Sequence, residues 1–302
     1  MPTHPIRADH APPGGRRRRG APALAVALLL GPTVTAASGP AEAHGIGLAA
    51  GPAPIAAHAA ARAARPTLAP LPAEVDAGTR VRLRGTAPAR AVVVVQQRRG
   101  GAWSPLTKAR SGKTGAWRAS AVFTGGGTTQ VRAVVGRRAG AVRSLAVYQW
   151  LDLATQPGYT SAATARDVPV PIGSRTYPHS ILAWFSPAPV VWFRLDGACT
   201  TLTSTVGLDA RERARADGTE TFGTKAIGYR ADGSESGDSG YLTGGWDQPR
   251  EVRLTGLTTA TRLSVLTVLS DPDDDGLSTV LGSPRVRCSA AGLAPFRAED
   301  LP

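Results

Sequence analysis

The stretch that decides the fold runs from about Pro171 to Cys288. It begins with the turn Tyr177-Pro178-His179-Ser180-Ile181 and continues with the apolar run Val190-Val191-Trp192-Phe193-Arg194-Leu195-Asp196-Gly197. Next come Val206-Gly207-Leu208-Asp209, a turn from Gly228 to Gly233, an apolar run near Leu263 to Leu269 and a last run that ends at Cys288. Short apolar runs bounded by Gly, Pro, Asp and Ser are typical of strands joined by turns. This half of the chain is therefore predicted to be built of β-strands.

Residues 67–149 carry a second β pattern, in which apolar and polar residues alternate. In residues 79–84, Val81 and Leu83 fall on one side and three arginines on the other. In residues 130–135, the apolar residues again occupy every second position. Period-2 runs bounded by glycine turns predict an antiparallel β-sandwich.

The order of pieces between Pro171 and Cys288 resembles the NPCBM family of carbohydrate-binding modules. That resemblance implies a β-sandwich of the jelly-roll, galactose-binding-like type and a secreted protein that binds sugar. Residues 67–149 resemble the immunoglobulin-like repeat of bacterial surface and secreted proteins, with Trp103 and Trp117 at its tryptophan positions. This second resemblance implies a spacer or adhesion module in which both tryptophans lie in or near the core.

The fold class expected for the whole chain is all-β, with two antiparallel β-sandwich domains in succession. The expected divisions are a secretion signal peptide at 1–43, an Ala/Pro-rich linker at 44–66, an immunoglobulin-like sandwich at 67–149, an NPCBM-like carbohydrate-binding sandwich at 150–290 and a tail at 291–302.

The first 43 residues have the pattern of an export signal. A basic run, Arg16 to Arg19, precedes an apolar run from Ala21 to Leu30, and Ala41-Glu42-Ala43 is a small-x-small cleavage site. The apolar run is shorter than the roughly 20 residues of a membrane-spanning helix. We therefore expect a secreted, extracellular protein with no stable membrane insertion.

The two cysteines, Cys199 and Cys288, both lie in the C-terminal half. Because an exported protein meets an oxidising environment, an even number of cysteines favours a disulfide. A bridge over this separation would stabilise the fold by about 4 to 5 kcal/mol in the chain-entropy model.

Sugar binding needs an aromatic ring that stacks on a pyranose and polar groups that bond its hydroxyls. The candidate ligand-binding residues are Tyr177, His179, Trp184 and Trp246, each in a loop-like context rich in Pro, Gly or Ser. Trp246 lies between Gly244-Gly245 and Asp247-Gln248-Pro249, which predicts an exposed tip. A structural role for each of the four residues is the alternative.

A candidate metal site is formed by Asp271, Asp273 and Asp275, followed by Gly276. This spacing can place three carboxylates around one Ca²⁺ ion. The twelfth position of the loop is Gly282 rather than Glu, which excludes a complete EF-hand loop. A structural Ca²⁺ is the expected cofactor, and an acidic solvated loop is the alternative.

Charge is divided unevenly along the chain. Residues 67–149 contain 14 Arg or Lys residues against Glu74 and Asp76, whereas residues 150–302 contain 14 against 18 Asp or Glu residues. Such a basic domain would attract an anionic polymer, and a solvated arginine-rich strand face is the alternative. No nucleic-acid motif is present, so nucleic acid is not an expected partner.

The expected function is noncatalytic glycan or polysaccharide binding by loop aromatics of the C-terminal sandwich. The alternative is a structural or adhesive cell-wall-associated protein, in which the basic domain binds an anionic cell-wall polymer. A fragmentary glycosidase is disfavoured because the acidic residues are scattered over turns rather than paired in a cleft. The sequence also lacks Gly-x-Ser-x-Gly and His-Glu-x-x-His motifs, so no enzymatic activity is expected.

Overall fold

The computed structural model of the chain describes residues 64–161, 163–184, 189–216, 218–269 and 277–301. These residues form nineteen strands and three short 3-10 helices, at Ala210–Arg215, Leu257–Thr259 and Ala298–Asp300. The strands are β1 (Glu74–Asp76), β2 (Arg80–Thr86), β3 (Val92–Arg98), β4 (Trp103–Arg110), β5 (Ala116–Val122), β6 (Gly127–Val135), β7 (Arg138–Ala139), β8 (Arg143–Asp152), β9 (Tyr159–Thr160), β10 (Thr164–Ile172), β11 (Arg175–Ala183), β12 (Val190–Arg194), β13 (Cys199–Leu208), β14 (Thr221–Tyr229), β15 (Glu235–Asp238), β16 (Leu242–Gly245), β17 (Arg250–Thr255), β18 (Arg262–Leu269) and β19 (Thr279–Cys288).

The N-terminal strands enclose a core between two sheets. One sheet has the order β4-β3-β6-β8, with β1 parallel to β8 and β7 beside β6, and the other consists of β2 and β5. Strand β2 alternates buried and exposed residues as predicted, with Val81 and Leu83 in the core. Trp117 is fully buried. Trp103 is half-buried, and the Arg132 guanidinium lies 4.1 Å from its ring centroid.

The C-terminal strands form a second sandwich. We call the sheet β10-β11-β19-β13-β17 the front sheet and the sheet β15-β14-β18-β12-β9 the back sheet, to which β16 adds beside β14. The two sheets pack through a shared apolar core that includes Leu202 and Val286 from the front sheet and Phe193, Phe222 and Val265 from the back sheet. The predicted all-β sandwich architecture is confirmed, while the immunoglobulin-like and NPCBM assignments stay predictions.

Strand β8 belongs to both parts of the molecule. Its first half pairs with β6, and its second half pairs with the end of β19, from Gln149↔Cys288 to Asp152↔Arg285. This strand runs across the expected division between residues 149 and 150. Arg287 strengthens the junction, because its Nε lies 2.6 Å from an Asp76 carboxylate oxygen and its guanidinium lies 4.1 Å from the Tyr148 ring centroid.

The predicted disulfide between Cys199 and Cys288 is present. Cys199 begins β13, Cys288 ends β19, and the two residues are register partners in adjacent antiparallel strands. The bridge therefore ties the start of the sandwich to its last strand.

The tip of the β10–β11 hairpin, beyond the segment of β11 that pairs with β19 (Ser180–Ala183), folds over the outer face of β13 and β19. Two glycines of that face, Gly207 on β13 and Gly282 on β19, provide the space, because a Cβ at either position would overlap the Ile172 side chain. At Gly282 the added Cβ would also lie 2.7 Å from Tyr177 Cγ. A small apolar cluster, separate from the main core, fills the space below the hairpin and consists of Val170, Ile172, Tyr177, Leu182 and Val280.

Some sequence predictions fall outside the described residues. These are the signal peptide at 1–43, nearly all of the linker at 44–66 and the candidate calcium ligands Asp271, Asp273 and Asp275. Within the described ranges, no group of three or more His, Cys, Asp or Glu residues is placed to hold a metal ion. No helix in the described part of the chain has the length and apolarity needed to cross a membrane.

Candidate ligand-binding groove

An open groove of about 410 Å³ lies on the outer face of the front sheet. Its floor includes Thr203 and Thr205 of β13 and Gly282 of β19. The β10–β11 hairpin forms one wall through Arg175, Tyr177 and Pro178, and Glu251 and Arg253 of β17 lie on the opposite side. The groove exists because the hairpin covers only part of the sheet.

Strand register places the polar groups of the groove in one row across the sheet. Thr203 pairs with Arg253 of β17 on one side and with Arg285 of β19 on the other, and Arg285 pairs in turn with Asp152 of β8. Residues directly opposite in adjacent strands present their side chains on the same face. Because neighbouring strands lie about 4.8 Å apart, the backbones at Arg253 and Arg285 are separated by about 10 Å with Thr203 between them.

Three arginines around the groove have no acidic partner among the residues that the structure describes. Arg175, Arg253 and Arg285 are exposed. Within the described residues, none of these guanidinium groups forms an ion pair within 4.0 Å or donates a hydrogen bond. The Arg175 guanidinium lies 5.1 Å from the Tyr177 ring centroid. Glu251 is the one carboxylate among the residues that line the groove.

An exposed aromatic side chain that the sequence analysis missed lies beside this row. Trp150 of β8 is 46% exposed and is the register partner of Arg287, one row away from Arg285. Diagonal neighbours across two antiparallel strands are roughly 7 to 8 Å apart, so Trp150 borders the groove residue Arg285. Leu145, Val147 and Leu151 lie at alternating positions of β8 and are buried. The same alternation in the sequence could have predicted that Trp150 faces outward.

His179, a predicted ligand residue, lies near the groove residue Arg285. It is exposed, its Nδ1 is 2.7 Å from Asp167 Oδ1, and it is 4.0 Å from Asp152 Oδ2. The hydrogen bond to Asp167 is the main cause that raises the pKa of His179, and the charge of Arg285 opposes this shift. Asp167 occupies a β-bulge with φ of 57°, which allows its carboxylate to reach the histidine.

Tyr177 lines the groove, but its surroundings differ from the sequence prediction. It lies within strand β11 rather than in a loop, and it is only 8% exposed because its ring packs over Gly282. Most of its surface therefore belongs to the small cluster below the hairpin.

The other two predicted ligand residues lie away from the groove. Trp184 is half-buried at the end of β11 and packs against the small cluster. Trp246 was expected on an exposed tip, and this expectation is wrong because the residue is 5% exposed. The chain reverses after β16, where Gln248 N donates to Gly245 O over 3.1 Å, and the indole joins the main core. There its Nε1–H donates to Glu220 Oε2 over 2.8 Å.

Two carboxylates near the start of the 3-10 helix at Ala210–Arg215 have structural partners. Asp209 is buried, accepts a hydrogen bond from the Arg211 backbone N–H and forms an ion pair with the Arg211 side chain. Glu212 accepts hydrogen bonds from Ser278 N over 2.6 Å and from Ser278 Oγ over 2.8 Å. Burial raises the pKa of Glu212. Glu212 therefore ties the 3-10 helix to the start of β19, and the Asp209 carboxylate caps the helix.

A second basic surface lies on the outer face of β2 and β5. Arg80, Arg82, Arg84 and Arg118 are exposed, and Arg84 is the direct register partner of Arg118. Like charges directly opposite in a sheet repel each other. Among the described residues, none of the four arginines has an ion pair or a side-chain hydrogen bond.

No protein-family model matches the chain, and no curated protein matches it. The similarity between this chain and solved structures is low. The CBM51-2 and INT domains of Clostridium perfringens ZmpB share 14% identity over 58% of this chain and 39% of that chain, with a TM-score of 0.35. The CBM51 module of the Clostridium perfringens GH95 protein, solved with methyl-galactose, shares 14% identity over 45% of this chain and 99% of that chain, with a TM-score of 0.33. The xylan-binding domain from CBM 22 shares 12% identity over 47% of this chain and 95% of that chain, with a TM-score of 0.31.

This chain spans about two fifths of the length of the ZmpB structure.

Proposed function

We propose that the chain is a secreted, noncatalytic carbohydrate-binding protein whose glycan lies in the groove of the front sheet, against Trp150. The observation that carries the proposal is the shared face: an exposed tryptophan, threonine hydroxyls and unpartnered guanidinium groups lie in neighbouring rows of one sheet. The disulfide and the signal-like pattern of residues 1–43 support export.

The chemistry of these groups suits a sugar. A tryptophan ring buries the apolar face of a pyranose, while hydroxyl and guanidinium groups bond its hydroxyls. The groove volume of about 410 Å³ is in the range of small-ligand sites. An open groove on a sheet face also leaves room for a chain of sugars to extend past Trp150.

The residues predicted from sequence have different parts in this proposal. Tyr177 lines the groove and His179 lies near the groove residue Arg285, and the proposal gives both residues a contact with the ligand. Trp184 supports the hairpin that carries Tyr177, and Trp246 supports the core. A structural Ca²⁺ held by Asp271, Asp273 and Asp275 stays part of the proposal.

The test is a glycan array together with insoluble-polysaccharide pull-downs, with and without Ca²⁺, using the full mature chain. Trp150→Ala should weaken binding by about 2- to 12-fold because a stacking contact is lost. The matched control is Tyr241→Ala, since Tyr241 is 57% exposed but lies over Gly223 of the back sheet. Equal affinity of the parent and Trp150→Ala, or no glycan bound by the parent, would contradict the proposal.

The second candidate function is attachment to an anionic cell-wall polymer through the β2–β5 face. Arg84 lies opposite Arg118, and neither has an acidic partner in the described part of the chain. This placement favours it, because bound anions would relieve the repulsion. Binding to such a polymer should fall steeply with salt and should be lost when Arg82, Arg84 and Arg118 are replaced by Gln. Retention of wall binding by that variant would exclude this face.

A further inference from the structure

We propose that the groove selects acidic glycans, and that Arg253 and Arg285 together bind one carboxylate or sulfate group of the ligand. This inference rests on the proposed function and adds the class of sugar. It would give the protein a preference for uronate-containing or sulfated polysaccharides over neutral ones.

The geometry of the row supports this assignment. Arg253 and Arg285 lie on either side of Thr203, and their backbones are about 10 Å apart. Long arginine side chains from both flanks can reach an oxyanion that lies above the threonine hydroxyl. A guanidinium group presents a planar fork of N–H donors that matches the two oxygens of a carboxylate, and a sulfate group offers the same arrangement.

The charges of the groove also favour an acidic ligand. Arg175, Arg253 and Arg285 face one carboxylate, Glu251, so the lining carries an excess of positive charge. Asp152 is the register partner of Arg285, yet the two side chains do not form an ion pair within 4.0 Å, and Asp152 Oδ1 instead accepts a hydrogen bond from Ala154 N. As far as the described residues show, the guanidinium groups are thus free to bind a ligand, and Glu251 can accept hydrogen bonds from sugar hydroxyls.

The experiment compares ligands that differ only in the anionic group. The affinity for oligogalacturonate is compared with that for its methyl ester, and the affinity for sulfated dextran oligosaccharide with that for unsulfated dextran. Both comparisons use calorimetry with the full mature chain. The salt concentration is near 0.15 M, where charge effects are screened beyond about 8 Å. We expect at least one acidic ligand to bind about 10- to 100-fold more tightly than its neutral counterpart. The arm that shows the preference identifies carboxylate or sulfate as the bound group.

Variants assign the preference to the groove. Arg253→Gln combined with Arg285→Gln should remove the preference for acidic ligands. Arg253→Lys combined with Arg285→Lys should keep only part of that preference, because lysine has the charge of arginine but not its fork of donors. The matched control is Arg137→Gln combined with Arg143→Gln, which removes the same charge from exposed positions outside both the groove and the β2–β5 face and should leave the preference intact. Thermal unfolding of each variant verifies that these exposed substitutions leave the fold unchanged.

The outcomes separate this inference from the proposed function. Equal binding of neutral and acidic glycans, abolished by Trp150→Ala, would overturn the acidic selectivity and leave the sugar-binding groove standing. An equal loss in the variant that carries Arg137→Gln and Arg143→Gln would show diffuse electrostatic attraction and would also overturn it. Failure to bind any ligand of the glycan panel would overturn both.

Discussion

Replacing Trp246 should damage stability and spare ligand binding, the opposite of what its sequence context predicts. The indole is 5% exposed in the main core, and its Nε1–H donates to Glu220 Oε2 over 2.8 Å. The same carboxylate oxygen also accepts a hydrogen bond from Gly218 N, over 3.0 Å. Trp246→Phe therefore removes a donor from a buried carboxylate while it keeps most of the aromatic packing.

The magnitude follows from that hydrogen bond. A hydrogen bond to a charged group contributes about 1.5 to 3 kcal/mol, so Trp246→Phe should lower the free energy of unfolding by that amount. For a chain of this size, each kcal/mol shifts the Tm by about 2 to 4 °C, which gives a fall of about 3 to 12 °C. Trp246→Ala also leaves a cavity and should cost about 3 to 5 kcal/mol.

The assay is thermal unfolding followed by far-UV circular dichroism, paired with glycan binding below the transition. Trp150→Phe is the matched control because it makes the same chemical change at a residue that is 46% exposed. It should alter the free energy of unfolding by no more than about 0.5 kcal/mol while it weakens glycan binding. If Trp246→Phe kept the parent Tm and weakened binding instead, the reasoning from burial would be refuted.

Two further predictions concern the hairpin that forms the wall of the groove. Gly282→Ala should destabilise the fold by about 1 to 3 kcal/mol and weaken glycan binding, since the new Cβ would press on Tyr177 and displace the hairpin. Chemical denaturation measures the change in stability. Gly101→Ala is the control, because no atom lies within 4 Å of the position of its Cβ. Asp167→Asn should lower the pKa of His179, because the hydrogen bond to Asp167 is what mainly raises it. A raised pKa stabilises the fold fully below the unfolded value of about 6.5 and loses this effect as pH rises through the folded value, so the parent and Asp167→Asn should differ in stability mainly at low pH. NMR titration of His179 measures the shift, and identical curves for the parent and the variant would show that Asp167 does not control the pKa.

Much of the strand pattern could be predicted from the sequence. Alternation at Val81 and Leu83 predicted strand β2 and its buried face, and the apolar runs near Leu263 and before Cys288 correspond to strands β18 and β19. The disulfide was also predictable, because a chain with a signal-like N-terminal pattern and two cysteines has one possible intramolecular pair. These features depend on local side-chain periodicity and on residue counts, which a sequence contains directly.

The exposure of single aromatic residues was less predictable. Trp246, flanked by glycines and a proline, has the local context of an exposed turn, yet the chain reverses and places the indole beside Glu220 in the core. Trp150 lies in an apolar-looking run at the expected domain division, yet it is exposed. Burial depends on which segments pack over a residue, and those segments are distant in sequence.

The sequence by itself determined that the chain forms β-strands, where most of them lie, which of their faces are apolar and that its cysteines pair. Only the tertiary structure decided that Thr203, Arg253 and Arg285 form one row under an open groove, with Trp150 beside them. The physical reason is strand register. A slip of one residue in β13, β17 or β19 would turn that strand's polar residues to the opposite face, and the register is set by the burial of the whole sandwich core rather than by any of these residues.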